Sequence, residues 1–377
     1  MRIGILTFHW ADDHGAMLQA YALKCCLEKA GGGQAEIIPY APVRLEGRYW
    51  LFPVTGRENG TEIKYFFDWG RFLSQVCYLR SFFKRRRNMK AFRRQYLTGE
   101  RAVRNADRLS LEKYSCIFVG SDQVWNPEIT VGLDDAYIGN VKEKGDCRWI
   151  AYGASFGGDS LPEKYEKEFS QAVGRHFSAV SLREKSAVPF VKNFFHGNVE
   201  DVLDPVFLLE RKEWEQIMEL PARQDYILFI YTEYNEQMFR YLQELSAELK
   251  KKVVQLSMPW LRRKTDQVDL EIGAGPSGYI GFFRNADCVV TNSFHGAAFS
   301  VLMEKNFFAF SHSNKNARME NLMEKLGLKS RLVERGRTPA KGEMTEVIDW
   351  GNVEKLLEKE RGRSIGFIEE ILSGECG

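Results

Sequence analysis

The sequence predicts an α/β protein with two open, mostly parallel sheets in tandem, and three observations predict it. Short, almost wholly apolar runs recur along the chain, as strands covered on both faces require. Segments with helical spacing alternate with them, which is the pattern of parallel β-α-β units. At 377 residues the chain exceeds what one hydrophobic core normally supports, so two domains are expected. They are placed at 1–206 and 207–345, with a helical segment, 346–377, expected to pack back across both.

Arg2–Phe8 opens the first series as an apolar strand, and His9–His14 follows as polar loop. Gly15 then begins a helix that turns Met17, Leu18, Tyr21, Ala22 and Cys25 inward. The glycine run Gly31–Gly33 ends it, since a left-handed cap costs little there, and Ala35–Tyr40 is the second strand. From Val43 to Glu112 the pattern is less regular, with aromatic-rich stretches expected to be helical and a basic run at Lys84–Arg87 followed by Arg93 and Arg94. Strands return at Cys116–Gly120, Trp149–Ala154 and Ala179–Leu182. Asp204–Pro205 closes the series, because proline denies the next element a donor. In the second series, strands are expected at Tyr226–Thr232, Lys252–Leu256, Cys288–Thr291 and Phe307–Phe310. Helices are expected at Glu236–Leu249, Tyr279–Asn285, Gly296–Met303, Ala317–Leu326 and Val353–Leu372.

Composition narrows the function. A hydrophobic share of 44% and a charged share of 28% exclude wholesale disorder. A net charge of +2 gives nucleic-acid binding no support. No apolar stretch approaches the roughly 20 residues that span a bilayer, and the N-terminus lacks the pattern of a secretory signal. The expected location is the cytoplasm, with any membrane contact peripheral. Seven cysteines without a CxxC pair read as reduced, mostly buried thiols. Asp12, Asp13 and His14 adjoin one another, as do Asp134 and Asp135, but sequence neighbours seldom face one ion, so no metal is expected. Neither a Walker loop nor a GxGxxG occurs. The basic run reads as a solvated helix face, with anionic lipid headgroups as the other reading.

Open parallel sheets bind ligands beyond the carboxyl ends of their strands, and four polar clusters fall there. The first, HWADDHGAMLQ, places His14 and Gly15 at a helix start, where free N–H groups favour anions; a routine strand-to-helix turn is the other reading. The second, GSDQVWNP, offers Asp122, Gln123 and Asn126 as hydrogen-bonding groups and Trp125 as a flat face. Sugars are held by that mixture, although a structural turn around a buried Trp reads equally well. In the third, SLRE, Arg183 presents a fork suited to carboxylate or phosphate, against the alternative of a surface pair with Glu184. The fourth and strongest is TNSFHG, where Asn292 or Ser293 can cap a helix near Gly296 and His295 lies in its first turn. Imidazole is the side chain best able to exchange a proton near neutral pH.

Seven segments in this order resemble the polysaccharide pyruvyl transferase family: GILTFHWADDHGAMLQAYAL, FVGSDQVWNP, IAYGASFG, AVSLREKSA, VLDPVFLL, ADCVVTNSFHGAAFS and RMENLMEKLGL. The resemblance implies a GT-B-like fold of two Rossmann-like domains with the active site in the interdomain cleft. It implies pyruvate transfer from phosphoenolpyruvate, as a ketal, to a sugar or lipid-linked oligosaccharide of a surface polysaccharide, with phosphate released. No cofactor is then needed, because phosphoenolpyruvate is itself the donor substrate. His295 is the implied acid. Arg183, Asn292, Ser293, Gly296 and Arg318 would bind the donor, and Asp122, Gln123, Trp125, Asn126, His14 and Gly15 the acceptor. This sequence departs from the family's pattern at Asp13, His14, Val206 and Ala297. A nucleotide-sugar glycosyltransferase of the same architecture and a non-catalytic carbohydrate-binding protein are the rival readings.

Overall fold

The computed structural model describes residues 1–31, 33–59, 62–142, 145–256, 258, 268–313 and 316–374. The chain divides into two compact units. The first comprises Met1–Phe72, Ala91–Leu209 and the residues from Glu360 onward; the second comprises Leu73–Lys90 and Glu210–Lys359. The last helix, Trp350–Ser373, therefore begins in the second unit and ends in the first. Cys376, one of the seven cysteines, lies outside the described residues.

In the first unit, β1 (Arg2–Leu6) and β2 (Gln34–Ile37) flank the helix His14–Gly31. A hairpin follows, β3 (Val54–Asn59) with β4 (Glu62–Phe67), and then the helices Trp69–Cys77 and Leu79–Phe92, of which Leu73–Lys90 belongs to the second unit. The sheet resumes with β5 (Cys116–Val119), β6 (Arg148–Ala154), β7 (Phe177–Leu182) and β8 (Asn198–Asp201). Its strands are all parallel, in the order β2-β1-β5-β6-β7-β8. The apolar runs at β1 and β5 are almost entirely buried, as parallel strands covered on both faces must be.

The second unit repeats the scheme with β9 (Tyr226–Ile230), β10 (Val253–Leu256), β11 (Val268–Glu271), β12 (Ala286–Thr291), β13 (Asn306–Phe310) and β14 (Leu332–Val333). These strands are also parallel, ordered β11-β10-β9-β12-β13-β14, which is the Rossmann order. Each sheet reverses direction once, between β1 and β5 in the first and between β9 and β12 in the second.

The structure departs from the sequence expectation in the stretch from Val43 to Glu112. That stretch is helical only in part, because β3 and β4 form an antiparallel hairpin with Arg57 opposite Lys64 and Thr55 opposite Phe66. β8, β11 and β14 were not expected either. β8 and β11 mix acidic with apolar residues and lie only partly buried, so they lack the apolar run that marks the inner strands.

The first unit's core is aromatic. Trp125 is fully buried, with ring centroids of Phe169 and Phe156 at 4.9 and 5.5 Å, and its Nε1 donates to the Tyr137 carbonyl at 2.8 Å. One buried charge, Asp134, is held by Arg44 at 2.6 Å and by the Tyr40 hydroxyl at 3.1 Å. Burial raises the pKa of Asp134 in spite of the Arg44 guanidinium and the Tyr40 bond.

At the carboxyl end of β5 the backbone requires glycine. Gly120 has φ 107°, and a Cβ there would lie 2.5 Å from the Tyr152 carbonyl oxygen. Gly120→Ala is therefore expected to lower stability by about 1–3 kcal/mol, seen as a lower urea midpoint. An unchanged midpoint would mean that this turn relaxes freely.

Candidate active site

In the first unit the loops after β1 and β5 are tied together at the sheet reversal. Thr7 Oγ1 donates to the Ser121 carbonyl at 3.1 Å, and Gln19 Nε2 donates to Thr7 Oγ1 at 2.8 Å. Arg93 fixes the rest of the β1 loop, donating to the carbonyls of His9 (3.0 Å) and Trp10 (2.8 Å) and to Asp12 (3.0 Å). Asp13 Oδ1 accepts from the Ala16 N–H at 3.0 Å, and His14 and Gly15 lie buried in the first turn of the helix so capped. Burial above all, then the neighbouring Arg93 charge, pushes the His9 pKa down to about 3. The basic run is thus not wholly a solvated face: Arg85 is buried and Arg93 holds a loop.

After β5, Asp122 takes a left-handed conformation, φ 76°, with its carboxylate accepting from the Gln123 N–H (2.8 Å) and from Arg183 Nη2 (3.0 Å). Arg183, directly after β7, donates its other amino group to Asp204 at 2.5 Å. Both side chains of that pair are buried, with exposures of 2% and 0%. Burial alone would lower the Arg183 pKa, but the charges of Asp204 and Asp122 outweigh it and raise it. Arg183 therefore joins two strand-end loops through a three-member ionic chain, and its fork is turned onto protein carboxylates. Beside it, Ser155 after β6 donates to Glu184 at 2.5 Å.

The remainder of GSDQVWNP divides in two. Asn126 is buried, caps the short helix Pro127–Thr130 through the Glu128 N–H at 3.0 Å, and donates to Gln123 Oε1 at 2.7 Å. Trp125 has no exposed face, so the expectation that its indole stacks on a sugar is corrected: the ring is spent on Phe156, Phe169 and Phe177. Asp122 and Gln123 are the members left partly exposed.

In the second unit the loop after β12 carries TNSFHG. Asn292 is fully buried, and its amide accepts from the Thr232 N–H (2.8 Å) and donates to the Glu233 carbonyl (2.7 Å), pinning the loop after β9. Ser293 caps the helix Phe294–Leu302 by accepting from the Gly296 N–H at 3.3 Å. Gly296 allows the turn to close, since a Cβ there would meet Thr291 Oγ1 at 2.3 Å. His295, partly exposed, stands in the first turn with its ring centroid 5.4 Å from that of Phe294. Arg318, in the first turn of Ala317–Lys325, lies over the same Phe294 ring at 5.5 Å. The structure thus gathers Asn292, Ser293, His295, Gly296 and Arg318 in the second unit and sets Arg183 in the first.

Two residues that sequence reading passed over join this region. His312, two residues beyond β13, has Nδ1 at 2.8 Å from Glu233 Oε2 and Nε2 at 2.6 Å from the Asn292 carbonyl oxygen. Thr232 Oγ1 lies 3.1 Å from the same Nε2, so the ring ties together the loops after β9, β12 and β13. Burial disfavours the Glu233 carboxylate, yet bonds from His312 and Ser313 outweigh it and lower its pKa. Glu233, Asn292, Ser311 and Ser313 help to line a pocket of about 560 Å³ at the start of the helix Glu236–Leu249. The signal available in the sequence was position: Glu233 and His312 both lie just past apolar strands. Among the described residues no group of three or more metal-ligating side chains comes together.

Two Rossmann-like α/β units, each with its polar residues gathered where a parallel sheet reverses, define a GT-B-like fold. The chain belongs to the polysaccharide pyruvyl transferase family, whose model matches residues 13–314. Arg318 and the RMENLMEKLGL segment lie beyond that span. A search of curated proteins found none with significant similarity. Among solved structures, the UDP-GlcNAc 2-epimerase of Methanocaldococcus jannaschii, in complex with UDP-GlcNAc and UDP, is similar at 13% identity over 99% of both chains, TM-score 0.49. UGT89C1 of Arabidopsis thaliana, complexed with UDP-L-rhamnose, is similar at 10% identity over 100% of this chain and 99% of that one, TM-score 0.49. The heptosyltransferase WaaC of E. coli, with ADP, matches at 11% identity over 96% of this chain and 100% of its own, TM-score 0.41.

Asp204→Asn leaves a buried guanidinium short of a charge partner, so a loss of about 3–5 kcal/mol is expected, read as a lower denaturant midpoint. An unchanged midpoint would remove the ionic chain from the account of this unit. The depressed His9 pKa adds a pH dependence. Folded His9 stays neutral while the unfolded chain, near 6.5, takes up a proton, so its contribution is intact above about pH 6.5 and lost as pH falls toward 3. His9→Gln is expected to flatten the melting temperature over that window, and parallel curves for the two proteins would contradict the assignment.

Proposed function

We propose that the protein transfers pyruvate from phosphoenolpyruvate to two hydroxyls of one sugar in a surface-polysaccharide precursor, closing a ketal and releasing phosphate. The observation that carries this reading is His295 in the open first turn of Phe294–Leu302, with Arg318 across Phe294, in a chain of this family. A proton donor, a guanidinium and a helix N-terminus suit a donor with both phosphate and carboxylate. In this reading the second unit takes the donor. The first takes the acceptor, with Asp122 and Gln123 as its partly exposed groups. The acceptor in this reading is a sugar or a lipid-linked oligosaccharide, the latter met at the inner face of the membrane.

The steps follow from the donor's chemistry. His295 delivers a proton to the methylene carbon, which becomes the methyl group. One sugar hydroxyl then bonds to C2, where positive charge develops. The C2–O bond to phosphate breaks, assisted by Arg318 and the helix N–H groups, and the second hydroxyl bonds to C2 and closes the ring. One hydroxyl proton restores the acid and the other leaves with phosphate.

His295→Ala is expected to keep the melting temperature and lose about two to four orders of magnitude in turnover. The assay is phosphate release from phosphoenolpyruvate over a panel of nucleotide- and lipid-linked sugars. Near-normal turnover would remove His295 from the mechanism. Calorimetric binding of nucleotide sugars with none of phosphoenolpyruvate would replace pyruvyl transfer by glycosyl transfer.

A further inference from the structure

The helix Trp69–Cys77 is built inside out. Trp69, Phe72, Leu73 and Val76 follow the spacing of a single apolar stripe, which in a globular protein faces the core. Here Trp69, Leu73 and Val76 are exposed, and the residue the helix buries is Gln75. The hairpin before it behaves alike, with Tyr65 and Phe66 both exposed although neighbours on a strand point to opposite faces. Phe72 stacks on Phe52 at 5.7 Å and packs on Phe67 at 5.4 Å, so the aromatic rings form a joined cluster.

Of the twelve large hydrophobic side chains exposed among the described residues, eight fall between Phe52 and Phe83. Scattered apolar residues on a surface are ordinary, but such a concentration marks an interaction surface. Its charge identifies the occupant. Residues 52–90 carry nine Lys and Arg against three Asp and Glu, in a chain whose net charge is only +2, so the remainder of the chain is net acidic. After Tyr78, the helix Leu79–Phe92 exposes Leu79 and Phe83 together with Arg80, Lys84 and Arg87.

We infer that the stretch 52–87 docks on an anionic lipid bilayer, its aromatic and aliphatic side chains entering the headgroup region and its cations meeting lipid phosphates. Trp and Tyr favour that depth, and an apolar helix face beside Lys and Arg is the pattern of an interfacial helix. A second copy of the chain is disfavoured, because a two-fold contact would bring these cations against each other. The inference rests on the proposed lipid-linked acceptor only for its use, and its test contains neither donor nor sugar.

Full-length protein is floated with vesicles of phosphatidylcholine alone and of an equimolar mixture with phosphatidylglycerol. Binding to the mixed vesicles, weakened by salt, is expected. Trp69→Ser with Leu73→Ser, both exposed, is expected to weaken it about tenfold or more, and so is Arg80→Gln with Arg87→Gln, with melting temperatures unchanged. Absence of binding to the mixed vesicles, equal binding to both kinds, or full binding by the Trp69/Leu73 variant would overturn the inference. Self-association that the same variants abolish, without vesicle binding, would assign the surface to a second copy.

Discussion

Parallel strands have to be joined by crossovers of one hand, and that constraint decides where everything polar in this protein gathers. When the chain leaves β1 for β2 on one side and later enters β5 on the other, the loops after β1 and β5 diverge at the carboxyl edge of the sheet. Their backbone N–H and carbonyl groups then need partners that no ladder supplies. Thr7, Gln19 and Arg93 supply them in the first unit. Asn292 does the same work in the second, bonding both Thr232 and Glu233 across the reversal between β12 and β9. Each reversal thus becomes a polar edge held by side chains of its own unit.

The two edges differ electrostatically. In the first unit a buried guanidinium is matched by two carboxylates, Asp204 and Asp122, so its charge is consumed within the fold. A buried pair of this kind fixes geometry more than it adds stability. In the second unit the charged and titratable groups, His295, Arg318, Glu233 and His312, are all partly exposed. This difference is why the proposed reading gives the anionic donor to the second edge and the acceptor's hydroxyls to the first.

The inner strands of both sheets were legible because covered parallel strands must be apolar runs, and Val289, Val290, Phe307 and Phe308 show that in the sequence. TNSFHG was legible because a polar segment follows such a run and opens a helix. What escaped depended on residues distant in the chain. Trp125 reads as a sugar platform until Phe169 and Phe177, more than forty residues away, close over it. Arg183 reads as an open fork until Asp204 and Asp122 take both amino groups. Glu233 and His312 are 79 residues apart and become neighbours only through the strand order. The edge strands β8 and β11 escaped for the opposite reason, since half-exposed strands need no apolar run.

The proposed chemistry is tested most directly by following the proton. With phosphoenolpyruvate, an accepted sugar and heavy water as solvent, protonation of the methylene carbon by an exchangeable acid puts one deuterium into the methyl group of the sugar-bound ketal. Mass spectrometry of the isolated product, with its fragment ions, reads that label. A singly deuterated methyl group and one phosphate released per ketal are expected. A product that keeps the methylene group, or phosphate released with no pyruvate on the sugar, would contradict the proposed chemistry.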